Sequence, residues 1–571
     1  MHPTARTVQT SAGSRRWLPA VGVLIVLGFA GPGCAQPQPD LTVMLPMADG
    51  IRLATDVYLP ETGGPKWPVR LLRTPYGRVR FKPDRGADAD HGYAMVFQDM
   101  RGRFDSQGNA LAFIDCGWSR NPDGVDTINW ILRQPWCNGK LGTEGGSAMG
   151  ITQCMLAAAD PPNLAAQYIA VAAPCLYHHA AYPGGGLRAS LLVTWLTDCR
   201  FHPDNLWLIA SHPFYDGHWK GVDSIARADR INVPAVHLGG WYDVFSQGTI
   251  DAFTSRHNHG GPGARGRQKL IIGPWDHGGP QRDPKSPVPK PRPVGEITFP
   301  PDSLKTPCPC RPREWFDYYL KGIDTGIDKV PAVQYYTMGA VGEEAAGGNR
   351  WHTADNWPIP SNPTPFYFQP DGTLSRTRPD KEQGLRGYRY NPLEPVPTRG
   401  GCLLCLPAGP YDQRDLEQRP DVLTFTTQPL AEPLEVTGRI TARLVIISDR
   451  VDTDFTVKLT DVYPGGRSML VADGLARCRC RRGCDRLALL KPGQPTPLEV
   501  DLWSTSIVFN RGHRIRAAVS SSNYPRFDVN VNTGWPAWPM GPVLIAHNRI
   551  ACNSTHASHV LLPVVTRRAH E

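Results

Sequence analysis

Residues 139–150, GKLGTEGGSAMG, read as a strand that runs into a glycine-padded turn with Ser147 at its tip. A strand-to-helix turn of this kind lifts a hydroxyl above the end of a sheet, where an attacking group must sit. It tolerates no bulk beside the serine, and Gly145, Gly146, Ala148 and Gly150 bring none. Residues 148–159 are rich in Ala, Met, Leu and Ile and stop at Asp160-Pro161-Pro162, which predicts a helix starting just after the serine. That helix would aim its positive end at the hydroxyl. The GxSxG spacing is not met, because Met149 stands at the fifth position and the glycine comes one residue later. The motif alone therefore leaves open a turn with no chemistry.

The flanking sequence places the turn in a sheet. Residues 41–59 alternate apolar and polar around Asp49-Gly50, which predicts a hairpin. Residues 69–76 and 93–102 read as buried strands ending in polar loops, and 123–133 has a helical pattern leading into the Ser147 strand. Strand, helix and strand in this order imply a mostly parallel sheet covered by helices, with chemistry at the carboxyl ends of its strands. Two later apolar runs, VPAVHLGGWYD (233–243) and KLIIGPWDH (269–277), each end in an ionisable residue beside a glycine-containing loop. The order Ser147, Asp243, His277 is that of an α/β-hydrolase. His277 would take the serine proton and Asp243 would fix the imidazole tautomer. Asp276 is a rival acid, but an extended chain points it away from the side His277 faces, which favours Asp243.

Six stretches together resemble a known family. They are RTPYGR (73–78), GYAMVFQDMRGRFDSQG (92–108), DGVDTINWILRQPWCNGKLG (123–142), GGSAMG, GGWYDVF (239–245) and GPWDHG (273–278). The chain is similar to the cocaine esterase and Xaa-Pro dipeptidyl peptidase type of α/β-hydrolase, a group that also holds glutaryl acylases and α-amino acid ester hydrolases. The resemblance covers nearly all of residues 36–571. It implies Ser147 as nucleophile, Asp243 as acid and His277 as base, with the Tyr76 hydroxyl and the Ala148 backbone N–H as oxyanion donors. Relatives usually carry tyrosine directly after the nucleophile. Ala148 keeps the backbone donor but removes an aromatic wall, so acyl preference does not transfer.

The resemblance also implies a helical cap, residues 178–232, inserted in an α/β-hydrolase domain spanning 36–350. Within it, LRASLLVTWLTDCRF (187–201) and HPFYDGHWKGVDSIARADRI (212–231) are amphipathic enough to be helices. Trp195 of the cap, with Trp241 and Phe245 beside the acid, are candidate walls of the substrate pocket, whereas His178 and His179 read as packed or surface residues. The amino acid ester branch holds its substrate ammonium with carboxylates, some of them two and three residues after the acid. Here those positions are Phe245 and Ser246, and no Asp or Glu occurs from 175 to 197. An ammonium without a partner in a dry pocket is costly, so free-amine substrates are disfavoured unless Asp198 or Asp216 reaches the site.

After Trp351 strand-like runs such as 434–447, 454–463 and 513–522 alternate with Pro and Gly turns, which implies an antiparallel β-sandwich. Residues 409–427 and 509–534 resemble the jelly-roll domain that ends these enzymes, giving a second domain over 351–571. The arginine-rich run ARCRCRRGCDR (476–486) has no interleaved aromatics and reads as a solvated strand and turn, so nucleic acid is not the expected partner.

Composition agrees. A chain of 571 residues with 41% hydrophobic content and 16 Trp is globular and too long for one core. Its net charge of +9 falls to +6 without residues 1–35, which carry Arg6, Arg15 and Arg16 and no acid. That is mild basicity for the size. Residues 1–35 read as an export signal: Arg15-Arg16, an apolar run over 20–30, then small residues up to a cleavage point after Ala35. Lipidation at Cys34 is the poorer match, because Gly31 and Pro32 stand where a lipoprotein box places leucine, and an N-terminal anchor is a third outcome. The expected location is periplasmic or extracellular, with no stable membrane insertion once the signal is cleaved. Removing Cys34 from the 14 cysteines leaves an odd 13, so at least one thiol stays unpaired within the chain. The close cysteine pairs lack zinc-finger spacing, and no metal or cofactor is expected. The leading expectation is an exported serine hydrolase acting on a small-molecule ester or amide. A dipeptidyl peptidase is the first alternative and a carbohydrate- or surface-binding protein with a relic hydrolase domain the second. A homo-oligomer is compatible with either.

Overall fold

Alternating apolar strands and helices build a ten-stranded sheet in the computed structural model, which describes residues 38–566 apart from 62, 82–91, 285–289, 344–345 and 536–541. The expected signal, Cys34 included, lies outside the described residues. The chain begins with the hairpin of β1 (Leu41–Pro46) and β2 (Arg52–Tyr58), turning at Asp49-Gly50 as the alternation predicts. It continues through β3 (Trp67–Thr74), β4 (Ala94–Asp99), α1 (Asp123–Leu132), β5 (Cys137–Gly146), α2 (Ala148–Ala157) and β6 (Leu164–Ala170). The cap contributes α3 (Ala189–Asp198), α4 (Asp204–Ser211) and α5 (Gly217–Lys220). Then come β7 (Ala235–Gly240), α6 (Ser246–His259), β8 (Lys269–Gly273), β9 (Val333–Thr337) and β10 (Arg350–Ala354). The order is β1-β2-β4-β3-β5-β6-β7-β8-β9-β10, and every pairing from β4 through β9 is parallel. Tyr76, Ser147, Asp243 and His277 all lie just past the carboxyl ends of strands, namely β3, β5, β7 and β8.

The cap is helical, though not as its sequence suggests. Residues 187–201 yield α3, but 212–231 yield only the single turn α5 and a 3-10 segment at Ile225–Arg230. Gly217 and Gly221 bracket α5 and limit its length. The second long cap helix is instead α4, between those two stretches.

The first sheet runs through β10 to Ala354. The second domain is a sandwich of antiparallel sheets. Leu434–Ser448 pairs along most of its length with Thr496–Phe509 in the larger one, while Leu423–Thr426, Arg514–Ser520, Asp454–Val462 and Ser468–Arg477 form the smaller. The domains share one apolar core: Ile250, Phe253 and Tyr335 of the first are continuous with Val436, Phe455 and Ile507 of the second. Backbone bonds cross the border as well, with Met338 N–H donating to the Ser506 carbonyl at 2.9 Å and Val508 N–H to the Met338 carbonyl at 2.8 Å. The arginine-rich run is solvated only in its second half: Arg482 and Arg486 are exposed in a turn, whereas Arg477 is buried against Asp454 and Asp528, and Arg479 against Asp452, inside the sandwich. The described cysteines are all free.

Close packing of α2 on the sheet explains the displaced glycine of the serine motif. A Cβ at position 150 would lie 2.8 Å from Ala172 Cβ and 3.0 Å from the Ala170 carbonyl oxygen, inside contact distance. Gly150 therefore lets the first turn of α2 sit against the chain leaving β6. Gly150→Ala should push α2 off the sheet and destabilise the protein by about 1–3 kcal/mol, the usual range for overpacking. The urea midpoint of unfolding, read by tryptophan fluorescence, measures it.

Candidate active site

Ser147 adopts φ 58° and ψ −126°, a conformation that costs a residue with a side chain about 1–3 kcal/mol. The surrounding structure holds it there. Ser147 N–H donates to the Ala170 carbonyl at 2.9 Å, and its own carbonyl accepts from the amides of Gly150 and Ile151. Gly145, at φ 134°, passes under Met149, where a Cβ would come within 2.6 Å of the Met149 Cβ. The serine side chain is thereby presented at the N-terminus of α2, whose first-turn amides have no partner within the helix.

His277 Nε2 lies 2.9 Å from Ser147 Oγ, and His277 Nδ1 lies 2.6 Å from Asp243 Oδ1. A carboxylate only accepts, so Nδ1 carries the hydrogen and Nε2 is left to accept from the serine. Asp243 is 0% exposed, and the Phe245 ring stands edge-on to the imidazole at 5.7 Å. Asp276, the rival acid, is held away by Arg292 and the Gly278 amide.

Tyr76 sits in a loop after β3 that is fixed by buried charge. Arg78 pairs with Asp56, Asp99 and Asp105, while Arg103 donates to the Pro75 carbonyl beside Tyr76 and to the Arg200 carbonyl at the end of α3. The Tyr76 hydroxyl accepts a hydrogen bond from Trp195 Nε1 at 3.0 Å, which leaves its own hydrogen to point elsewhere. Burial, partly offset by that bond, pushes the phenol up to about 12. It remains a neutral donor across the working pH range.

Beside Ser147 a cavity of about 80 Å³ opens under the cap. Its wall is almost wholly apolar: Ala148, Ile151, Leu176, Leu192, Trp195, Ile209, Trp219 and Phe245 among others. Among the described residues His218 is its one ionisable side chain besides the serine, and no carboxylate lines it. Asp198 is exposed at the end of α3, and Asp216 caps α5 and bonds to His212, so neither reaches the pocket. His179 is likewise engaged elsewhere, on Asp251, and His178 is exposed.

Of the three pocket candidates, Trp195 and Phe245 line the cavity and Trp241 does not. Trp241 is 2% exposed, donates to the Tyr336 carbonyl at 2.6 Å and packs on Trp357. It leads into the acid turn, but its side chain lies under the sheet among the shared interdomain core. Sequence reasoning missed Leu404, which lines the cavity from the second domain, and the bond from Trp195 to Tyr76. Only the arginines of RTPYGR and RGRF hinted at the buried network behind Tyr76. Among the described residues no group of His, Cys, Asp and Glu is arranged to hold a metal ion, and no helix is long and apolar enough to cross a membrane.

Comparison with known proteins agrees with this geometry. Residues 49–206 and 200–279 match the X-Pro dipeptidyl-peptidase (S15 family) model, and 325–561 match that of the X-Pro dipeptidyl-peptidase C-terminal non-catalytic domain. The cocaine esterase of Rhodococcus sp. (strain MB1 Bresler) is 32% identical over 601 residues, covering 92% of this chain and 98% of that protein. An α-amino acid ester hydrolase structure superposes with a TM-score of 0.76 at 25% identity, covering 96% of this chain and all of the other. An aminopeptidase from a marine sediment Thaumarchaeota archaeon superposes with a TM-score of 0.78 at 24% identity over 95% of this chain and 99% of the other, a likeness of fold. A parallel sheet presenting Ser147, Asp243 and His277, an apolar cap and a terminal sandwich thus belong together, and the chain is a member of the family of hydrolases that contains cocaine esterase and the X-Pro dipeptidyl peptidases.

Proposed function

We propose that this protein is an exported serine hydrolase that cleaves carboxylic esters or amides through an acyl-enzyme on Ser147. The observation that carries the reading is the chain of hydrogen bonds from Ser147 Oγ to His277 and from His277 to a dry Asp243, set beside an apolar cavity. Export rests on the Arg15-Arg16 pair and the apolar run over 20–30.

Each group has one task. Ser147 Oγ attacks the substrate carbonyl carbon as its proton passes to His277 Nε2. Asp243 stabilises the imidazolium and keeps the tautomer. The oxyanion that forms is met by the Ala148 N–H and the Tyr76 O–H. His277 then protonates the departing alcohol or amine, leaving the acyl group on Ser147. A water, deprotonated by the same imidazole, releases the acid and regenerates the hydroxyl.

The pocket supports an uncharged, apolar acyl group. An α-ammonium would lie among aliphatic side chains with no carboxylate to meet it, at large desolvation cost. The same lack weighs against a dipeptidyl peptidase, which must anchor a peptide amino terminus.

Fluorophosphonate should label the protein, and Ser147→Ala should abolish labelling. p-Nitrophenyl butyrate should be turned over, the p-nitrophenyl ester of alanine at least about a hundredfold less efficiently, and glycyl-prolyl and alanyl-prolyl anilides not at all. Strong anilide cleavage would establish the peptidase instead. No labelling of folded protein would sink the hydrolase reading and favour the binding protein.

Tyr76→Phe should lower kcat about 100- to 1000-fold with labelling slowed in proportion, as expected for one oxyanion donor. Trp195→Phe, which keeps an aromatic ring but removes the indole N–H and part of the cavity wall, should cost at least about fivefold, the worth of the lost hydrogen bond. Steady-state kinetics on the butyrate ester distinguish the two.

A further inference from the structure

We propose that Arg188 is a positioning residue for the catalytic acid: its buried guanidinium holds the backbone of the turn just after Asp243 and provides that dry turn with its positive charge. The inference rests on the hydrolase reading above and concerns a residue that the reaction steps do not use.

Arg188 lies in the cap immediately before α3 and is 1% exposed. Its Nη1 donates to the Val244 carbonyl at 2.7 Å and to the His179 carbonyl at 3.2 Å. Val244 is the residue after the catalytic acid, so the bond grips the turn at its centre. On the side of the second domain the guanidinium lies over the ring of Trp503, 4.8 Å from its centroid. Trp503 itself is held at φ 68°, with its N–H on Asp501 Oδ1 at 3.0 Å. The cation thus sits where cap, acid turn and sandwich meet.

A guanidinium that only filled space here would be a poor choice. Nε and Nη2 have no hydrogen-bond partner among the described residues, and an apolar side chain of similar volume would avoid their desolvation. What an apolar side chain could not do is balance Asp243. That carboxylate is fully buried, accepts from His277 at Oδ1, and has no hydrogen bond at Oδ2 among the described residues. The other charges facing Arg188 are Arg526 and Asp473 of the sandwich, which pair with one another, and the Cys402 thiol lies nearby. Asp243 is therefore the acid left for Arg188 to compensate. Burial, with Arg526 adding to it, pulls the guanidinium down to about 9, so it is still charged at neutral pH.

The test separates charge from hydrogen bond. Arg188→Gln can still donate to the Val244 carbonyl but is neutral, whereas Arg188→Lys keeps the charge and loses the fork. Both are measured on the butyrate ester, with turnover counted per fluorophosphonate-titrated site so that a partly folded preparation still reports. A buried cation disfavours a second positive charge nearby, so removing it should move the acid limb of kcat/KM upward by roughly one pH unit in R188Q. kcat should fall about 10- to 100-fold with KM within about threefold, because Arg188 does not line the acyl cavity. R188K should keep the wild-type limb and recover part of kcat.

An unmoved limb in R188Q, whether or not kcat falls, overturns the inference and leaves Arg188 a packing residue. Should R188Q not fold, Trp503→Leu loosens the guanidinium from the other side: a several-fold loss of kcat at constant KM is expected, and unchanged kinetics would refute the proposal. A wild-type protein that neither labels nor turns over ester refutes the hydrolase reading itself, whereas active wild type with unchanged variants refutes only this inference.

Discussion

The bond between the His277 imidazole and the buried Asp243 carboxylate is the constraint around which the molecule is arranged. A carboxylate with no exposure persists as an anion only where its surroundings compensate it, and at 2.6 Å from Nδ1 it also dictates which ring nitrogen faces the serine. The turn that carries Asp243 must then be held to within a fraction of an ångström, since small misplacements cost catalysis heavily. β7 brings the chain to that point, but a strand cannot by itself fix the residues beyond its end. The rest of the hold comes from elsewhere in the chain.

Much of it comes from the second domain. The Cys402 thiol contacts the Trp241 carbonyl, the Tyr242 hydroxyl donates to the Leu470 carbonyl, and Ser504 N–H donates to the Gln247 side chain. These contacts bracket the acid on both sides, over residues 241–247. Together with the continuous apolar core they make the sandwich part of the catalytic scaffold. Leu404 extends the same domain into the wall of the acyl cavity. The family model describes the matching region of its members as non-catalytic, and here none of its described residues hydrogen-bonds to the serine or histidine side chain. Its contribution is to hold the turn that carries Asp243 and to supply part of the cavity wall.

Tyr76, the proposed oxyanion donor, is held by the cap. Trp195 of α3 bonds to the Tyr76 hydroxyl and also walls the cavity, so the donor and the acyl pocket share one side chain. Arg103 reaches from the loop after β4 to the carbonyls of both Pro75 and Arg200, joining the tyrosine loop to the end of that helix. On the proposed hydrolase reading, a shift of the cap would therefore alter oxyanion stabilisation and acyl fit together, and the apolar lining would exclude water and leave a charged acyl group without a partner.

Local patterns carried the parts of the protein that local physics decides. The glycines around Ser147, the apolar strands ending in Asp243 and His277, and the change to short alternating strands after 351 each reflect a constraint acting over a few residues, so the nucleophile turn, the parallel sheet and the sandwich were legible in the sequence. The displaced glycine looked like a departure from a motif and proved to be the contact of α2 with the chain leaving β6. Pairings between distant segments were not legible. Trp241 and Phe245 flank the same acid and look equally able to line a pocket, yet one packs in the core shared with the sandwich and the other lines the cavity beside Ser147. Arg477 and Arg479 look as solvated as Arg482 and Arg486 beside them, until Asp454 and Asp452 arrive from more than twenty residues earlier to neutralise them. The sequence by itself determined which residues could do chemistry and on what kind of scaffold. Only the tertiary structure decided which of them meet, since a buried charge or ring finds its partner across the fold and its neighbours along the chain do not specify it.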